Sequence, residues 1–513
     1  MQTHACFTIA CELWTRVLQY YSMTNQTENY AFQKKQAILL THIFKCAATL
    51  FILFTFICIT GCTNVSLLDA QHSFQQGNLG TAQSKIDTYA NSNTTGKDAV
   101  IAWLNKGSID RSLGNYAQSN QSFAIAEQQI KFWDEQPEFK ISNESLSLVT
   151  NLNTLPYRGY HYDRIMLNTY KALNYLQLGN KESARIELRR AYNHQHDAVA
   201  HNAKRIENAR ETVQKQLHNH RNKQTNIDIQ RTIRNLNINK QINNLYKDLN
   251  NYQTYTNYIN PFTELLQALF YMHTGNDDAD FSRAEKSLER IINMQPNNPY
   301  IKKDRQTLKR IRAGAPSSPL TYIIFETGIA PTRNEIRFDL PMFLFNNEVE
   351  YIGMTFPNLV MHNNFIKTLH ITTAGNQINT KLISNMDAIV AQEFMNDLPL
   401  VIAKTIANTA AKTSAAWGIK KSTKKNSDLR LFTVISSTIY QLVANQADLR
   451  TWATLPKQFQ YANIQTPANQ TLTLTLSQTN EKHTIKLQPA LINVIYVKSI
   501  APNIPVQISQ FTF

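Results

Sequence analysis

Several residues in this chain are of the types from which metal sites are built. Three histidines, His194, His196 and His201, lie in the sequence NHQHDAVAH, and two more follow at His218 and His220. On a helix, residues 194 and 201 share a face, but residues 194 and 196 do not. A metal site also needs hydrogen bonds that hold its ligands in place. We therefore interpret these residues as exposed histidines on a polar helix, and we predict neither a metal nor a cofactor.

Carboxylates in the C-terminal part are the second set with possible chemistry. A pair of them can act as general acid and base in hydrolysis, and the candidates are Glu326, Glu335, Asp339, Asp387 and Glu393. The chain has no glycine-rich phosphate loop and no G-x-S-x-G sequence, so we assign no catalytic residue. A hydrolase with a carboxylate site stays as the alternative function. Asp448 and Arg450, in ADLRTW, predict a structural ion pair or a helix-end contact beside Trp452.

The positions of the cysteines point to a compartment. The chain has five, Cys6, Cys11, Cys46, Cys58 and Cys62, and none follows Cys62. Avoidance of cysteine over such a length is typical of an oxidising environment, although chance in a cysteine-poor proteome is the alternative. It excludes a disulfide scaffold, a cysteine-ligated zinc site and a cysteine nucleophile from the remainder of the chain.

Length and charge set broad limits. The chain has 513 residues, with 42% hydrophobic residues, 17% charged residues and a net charge of +15. This length suits two or three domains with packed cores. The basic balance permits contact with a polyanion but does not select one. Because basic residues are not interleaved with aromatic residues in a nucleic-acid-binding module, we predict no nucleic acid partner.

An apolar run ends at Cys62. The run spans residues 46–61, CAATLFILFTFICITG, and follows lysines at positions 34, 35 and 45. It is shorter than the ~20 residues of a membrane-spanning helix. Its last residues, Ile59, Thr60 and Gly61 before Cys62, resemble the lipobox of bacterial lipoproteins.

The lipobox resemblance implies cleavage before Cys62 and attachment of acyl chains such as palmitate to that residue. Thr63 stands where an aspartate commonly signals retention in the inner membrane, so the resemblance implies an outer-membrane location on the periplasmic face. An uncleaved inner-membrane signal anchor that faces the periplasm is the alternative. The 61 residues before Cys62 exceed the usual 15–30 of a signal peptide. Residues 1–22 therefore look superfluous, and Met23 is an alternative start.

A repeated pattern of helical period follows from about residue 66. Glycine, then alanine five residues later, then an apolar residue four further on, recurs along the chain. This spacing resembles the tetratricopeptide repeat, in which small residues allow two helices to approach closely and glycine forms the turn. The residues that carry the pattern are Gly77, Ala82, Trp103, Gly107, Gly114, Tyr175, Gly179, Ala184, Gly275, Ala284 and Pro296.

The pattern predicts a repeat-type helical domain over residues 62–312, with a generic helical bundle as the alternative. Two insertions interrupt it, at about 132–163 and 196–255. The second insertion is basic, and we interpret it as a solvated helical face, with contact to an acidic partner as the alternative. The composition of residues 313–320, AGAPSSPL, predicts a linker.

Residues 321–513 change character and predict an α+β domain. Short runs of β-branched and aromatic residues predict strands at 321–326, 335–345, 365–374, 471–477 and 491–499. Helices are predicted at about 385–416, with Pro399 expected to kink or divide the first, and at about 430–446. The fold class is therefore multidomain, with an all-α repeat domain followed by an α+β domain.

Three stretches carry a wider resemblance: LPYRGYHYDRIMLNTYKALNYLQLGNKESARIELRRA, YIIFETGIAPTRNEIRFDLP and ADLRTWATLPKQFQYANI. They resemble an uncharacterised family of bacterial lipoproteins that contain tetratricopeptide repeats. The resemblance implies a scaffold or adaptor that is attached to the membrane by its lipid anchor. Its repeats would bind an unidentified cell-envelope protein along their concave face. The sequence does not define the oligomeric state.

Overall fold

The computed structural model describes residues 65–136, 155–198, 207, 211, 236–252, 255, 258–343, 349–373, 375–422 and 447–513. The signal region, Cys62 with the rest of the lipobox, and the helix predicted at 430–446 lie outside these residues. So do His201, His218, His220 and most of both insertions. Their predictions stay as stated.

The N-terminal part is helical. The helices are α1 (Val65–Gln75), α2 (Leu79–Ser92), α3 (Ala99–Ser112), α4 (Tyr116–Glu135), α5 (His161–Gln177), α6 (residues 181–198), α7 (Leu236–Tyr246), α8 (Pro261–Thr274), α9 (Asp278–Met294) and α10 (Pro299–Arg312). A 3₁₀ segment, Lys247–Tyr252, follows α7. Consecutive helices pack as antiparallel hairpins, with α3 on α4 and α8 on α9. The N-terminal region is therefore an array of helical hairpins.

Glycines form the turns of three hairpins. Gly77, Gly114 and Gly179 have φ of +79°, +79° and +73°, a backbone conformation that other residues adopt only with strain. Gly275 differs, because its φ is −70°. At Gly275 a Cβ atom would lie 2.4 Å from the carbonyl oxygen of Tyr271. Space, and not backbone conformation, therefore favours glycine in the fourth turn.

Small residues lie where the helices cross. Ala82, Ala184 and Ala284 are fully buried. In the second hairpin Ser119 takes the place of the alanine, and its hydroxyl donates to the carbonyl oxygen of Gly107 at 2.6 Å. Of the larger residues of the pattern, Trp103 is buried and Tyr175 is partly buried, and Pro296 lies in the turn between α9 and α10.

The hairpins form two layers that differ in burial. All 14 residues of α3 and 12 of the 14 residues of α8 are buried, whereas only 6 of the 20 residues of α4 and 5 of the 17 residues of α9 are. The first helices of the hairpins, α3, α5 and α8, therefore form an inner layer. The second helices, α4 and α9 among them, form an outer layer that faces solvent on one side.

The C-terminal part contains three sheets and one long helix. Its strands are β1 (Leu320–Thr327), β2 (Thr332–Phe343), β3 (Val349–Val360), β4 (Leu369–Thr373), β5 (Asn376–Asn379), β6 (Lys381–Asn385), β7 (Gln458–Gln465), β8 (Thr471–Leu476), β9 (Lys482–Lys486), β10 (Ile492–Ser499) and β11 (Gln507–Thr512). A five-stranded sheet has the order β11-β10-β1-β7-β6, and a four-stranded sheet has the order β5-β4-β8-β9. β1 pairs in parallel with β10 and antiparallel with β7, and β2 and β3 form a separate antiparallel ribbon.

The five-stranded sheet is covered on both faces. Along β1, Tyr322 and Ile324 belong to the core that includes the helices, whereas Ile323 and Phe325 belong to the core between the two sheets. This alternation follows from the period of two along a strand. The chain therefore stacks four layers in order: outer helices, inner helices, five-stranded sheet and four-stranded sheet.

Helices and strands share one hydrophobic core. That core extends from Leu67 in α1 to Phe511 in β11, and residues Ser66–Phe513 form one compact unit. The change from helices to strands falls between Arg312 and Leu320, within the predicted linker. The remaining domain boundaries stay a prediction.

The long helix α11 (Met386–Ser422) contains Pro399. The helix continues through this residue, so the expectation that the proline divides it is wrong, although proline removes one backbone hydrogen bond there. No helix among the described residues is long and apolar enough to span a membrane.

The close crossing of α3 and α4 yields a prediction. In Gly107→Ala, the added Cβ would lie 2.5 Å from the ring of Phe123, which is itself fully buried. Overpacking of this kind costs about 1–3 kcal/mol, so we expect a lower midpoint of urea unfolding despite the better helix propensity of alanine. The matched control is Gly80→Ala in α2, where no atom lies within 4 Å. An unchanged midpoint in Gly107→Ala would contradict the close crossing.

Candidate functional site

The histidines do not assemble a metal site. His194 lies on α6, and burial lowers its pKa below the usual value. The ring of His196 packs against Tyr192, with 5.9 Å between ring centroids. Among the described residues, no group of three histidine, cysteine, aspartate or glutamate side chains is placed to hold a metal ion.

The five candidate carboxylates each have a different partner. Asp387 pairs with Lys457, and Asp339 lies on the exposed β2–β3 ribbon, 3.9 Å from Arg337. Glu335 accepts a hydrogen bond from the backbone of Ala447 at 2.7 Å. Glu326 and Glu393 take part in two separate buried clusters. The acid–base pair that a hydrolase requires is therefore not formed among these five residues.

Glu326 lies at the joint between the inner helices and the five-stranded sheet. Its position in β1 directs the carboxylate toward the helices, where Lys498 of β10 lies 2.8 Å away. The hydroxyls of Tyr170, from α5, and Tyr496 both donate to it. Burial alone would raise the pKa of Glu326, but the charges of Lys498 and Arg111 outweigh burial and lower it. The carboxylate is therefore ionised and fully occupied by structural contacts.

Arg111 connects this cluster to two hairpins. Its guanidinium lies over the ring of Tyr496, 4.8 Å from the centroid, and donates to the side-chain oxygen of Asn174 at 2.6 Å. Asn174 in turn donates to the hydroxyl of Ser119 at 2.8 Å. α3, α4, α5 and β10 are therefore joined through one buried polar network.

A second ionic contact joins the two ends of the chain. Arg450 donates to Asp98 at 3.0 Å and to Asp448 at 2.7 Å, which confirms the predicted ion pair in ADLRTW. The indole nitrogen of Trp452 donates to the hydroxyl of Ser108, on α3, at 2.9 Å. This motif attaches the C-terminal part to the start and middle of α3.

A third cluster caps the N-terminus of α5. The carboxylate of Glu393, on α11, accepts hydrogen bonds from the backbone nitrogens of His161 at 2.8 Å and Tyr162 at 3.2 Å. Asp163 accepts from the backbone nitrogen of Tyr160 at 2.9 Å. Burial, and for Glu393 also the charge of Asp397, raises the pKa of Glu393 to about 8, and burial raises the pKa of Asp163 to about 6.

A small cavity adjoins this cluster. Its lining includes Tyr162, Ile165, Asn260, Ile389 and Glu393, and its volume is ≈ 10 Å³. A space of this size holds about one water molecule. The cavity therefore does not admit a peptide or a sugar.

The inner helices present their side chains to the sheet and not to solvent. Phe262 of α8 stacks on Phe459 of β7 with ring centroids 3.8 Å apart. His273 hydrogen-bonds Tyr322 of β1 at 2.7 Å. Together with the contacts of Glu326 and Trp452, these fill the inner face of the array. The expectation that this face binds a partner protein is therefore wrong, and the surfaces open to partners are the outer helices and the last helix of the array.

Comparison with known proteins adds little to this assignment. No family model and no curated protein matches the chain. Among solved structures, an assembly chaperone of RpL4 (residues 1–338) is similar over 49% of this chain and 69% of its own, with 14% identity and a TM-score of 0.28. A tetratricopeptide repeat protein from Parabacteroides merdae is similar over 48% of this chain and 98% of its own, with 13% identity and a TM-score of 0.13. The assignment of helical hairpins rests on the packing described above.

The Glu326 cluster yields a prediction about stability. Lys498→Met leaves a buried carboxylate without its ammonium, which typically costs about 3–5 kcal/mol, so we expect a marked fall in the midpoint of urea unfolding. Adding Glu326→Gln removes the unpaired charge, so the double variant should recover part of the loss. The control is Lys482→Met, at an exposed position of β9. Additive effects of the two substitutions would contradict the coupling.

Asp304, on α10, yields a prediction about pH. It accepts from the Tyr461 hydroxyl at 2.7 Å and from the Asn463 amide at 2.6 Å, and burial raises its pKa from 3.8 to about 7. The folded chain therefore holds a proton that the unfolded chain loses above about pH 4. The stabilisation from this proton is complete below that pH and is lost as the pH rises through about 7.

The measurement compares the wild type with Asp304→Asn, which does not titrate. We expect the difference between their urea midpoints, wild type minus variant, to fall from pH 4 to pH 7 and to level off above. The change corresponds to a few kcal/mol in order of magnitude. Other titrating groups are common to both chains and cancel. A difference that is independent of pH would show that Asp304 is ionised in the folded chain.

Proposed function

We propose that the chain is a lipid-anchored periplasmic scaffold of the outer membrane, whose helical repeats bind another cell-envelope protein. The observation that carries the scaffold assignment is the cover of the inner helices by the chain's own sheet. This cover makes helices and sheets one body with one core and leaves the outer helices to solvent. A body of this kind can hold a partner at a fixed position without a deep pocket.

The anchor is proposed from the residues around Cys62 alone. Acylation there would attach the chain through several long hydrocarbon chains, each buried methylene contributing ~0.8 kcal/mol. The compact unit begins at Ser66, only four residues beyond Cys62 in the sequence. The repeat array would therefore start close to the membrane surface.

Fractionation of cells tests the anchor. We expect native protein to start at an acylated Cys62 by intact mass and to fractionate with the outer membrane, and Cys62→Ala to stay uncleaved or to leave that fraction. The matched control is Cys58→Ala, which removes a cysteine of the same apolar run outside the tetrapeptide and should behave as wild type. An unmodified Cys62 behind an intact N-terminus would favour the inner-membrane signal anchor.

The same cells test the partner. A photo-crosslinking residue at Gln121, exposed on α4, should give a protein adduct in the membrane fraction. The comparison position is Thr484, exposed on β9 in the four-stranded sheet, on the opposite side of the layered body. Absence of adducts from every exposed helical position would contradict the scaffold.

A further inference from the structure

The last helix of the array carries exposed cations without partners. Lys302, Lys303, Lys309 and Arg310 on α10 are all exposed, and none makes an ion pair or a side-chain hydrogen bond with another described residue. At 100° per residue the four lie within an arc of about 120° on the helix. Gln306, also exposed, lies at the centre of this arc. We refer to these five residues as the basic face.

The opposite side of α10 fixes the orientation of the basic face. Ile301, Asp304 and Leu308 are buried there. Asp304 is hydrogen-bonded to Tyr461 and Asn463 of β7, so the helix is held against the sheet by specific polar contacts. The basic face is therefore presented outward by a rigid support.

Nearby acidic residues are already used by other cations. Arg305 pairs with Glu289 at 3.4 Å, and Arg312 pairs with Asp278 at 2.7 Å and with Glu285 at 3.0 Å. These acids come from α9 and lie beside the flanks of α10. The structure therefore compensates the two arginines next to α9 and leaves the basic face uncompensated. A cap that served only solubility would need polar residues of either sign.

The spacing of the cations favours a helical partner. Lys302 and Lys309 are seven residues apart, and so are Lys303 and Arg310, which gives two rows with a step of about 10.5 Å. Seven residues is the interval at which a helix packed alongside presents equivalent side chains. None of the large exposed apolar residues in the described part of the chain lies on α10. A membrane-surface helix needs such residues, so this face suits a polar protein contact better than a bilayer.

We propose that the basic face docks an acidic helical segment of the partner protein. The proposal rests on the proposed scaffold function and names the contact and its chemistry. Complementary charge of this kind sets the association rate and the selection of partner more than the affinity, and it depends on ionic strength.

The test compares two variants with the same change of net charge. The first replaces Lys302, Lys303, Lys309 and Arg310 with glutamate. The matched control replaces four exposed lysines on separate elements, Lys181, Lys240, Lys367 and Lys482. Both are full-length chains in neutral detergent, with equal urea midpoints as the requirement for comparison. The probe is a fluorescent helical peptide with glutamates at positions i and i+7, and its binding is followed by anisotropy at about 150 mM salt.

We expect the first variant to bind the peptide at least about tenfold more weakly than wild type, and the control less than about twofold. Equal losses in both variants would show that only net charge matters and would overturn the proposal. Displacement of the peptide by short-chain phosphatidylglycerol at a lower concentration than unlabelled peptide would assign the face to a lipid surface and would also overturn it.

Crosslinking in cells separates this proposal from the scaffold function. A photo-crosslinker at Gln306 should give a protein adduct that disappears in the first variant and persists in the control. Adducts at Gln121 but not at Gln306 would overturn the basic face as the contact and leave the scaffold in place. Absence of adducts at both positions would remove the scaffold function itself.

Discussion

The whole architecture depends on keeping one buried carboxylate charged. Glu326 lies between a sheet and a layer of helices, away from water, where an unpaired charge would be costly. Lys498 comes from the adjacent parallel strand, and Arg111 and Tyr170 come from two different hairpins. The charge is satisfied only when all these elements are in place. The cluster therefore couples the helical array to the sheet in a way that apolar packing alone would not specify.

This coupling changes what the repeat array can do. An open array of helical hairpins offers a concave surface to ligands, but here Phe459, Tyr322 and Trp452 already occupy the inner helices. The inner face is a core, and its residues serve the stability of the chain. Contacts with other molecules are left to the outer helices, the exposed strands and the end of the array. The sequence pattern of a repeat thus indicates the fold correctly without indicating which surface is free.

Local patterns predicted the elements better than their association. The spacing from Gly77 to Ala82 and from Gly179 to Ala184 indicated helical hairpins because turn conformation and close crossing are local requirements. The alternation in TLTLTL likewise indicated β8, which is buried at every second residue. β3 escaped prediction because Gly353 and Pro357 interrupt its apolar pattern. The Glu326 cluster also escaped, since its members are separated by more than 150 residues in the sequence and no local signal connects them.

The position of the basic face follows from the same arrangement. Within the array each helix has a neighbour on both sides, so charged residues can pair across hairpins, as Lys171 does with Glu187. α10 is the last helix before the strands, and only α9 lies beside it within the array. The acids of α9 reach the flank of α10 but not its outward side. At such an end, an uncompensated row of one sign is not required by packing on any neighbour. Its persistence on a helix held rigidly by Asp304 is therefore better explained by a contact outside the chain than by the needs of the fold.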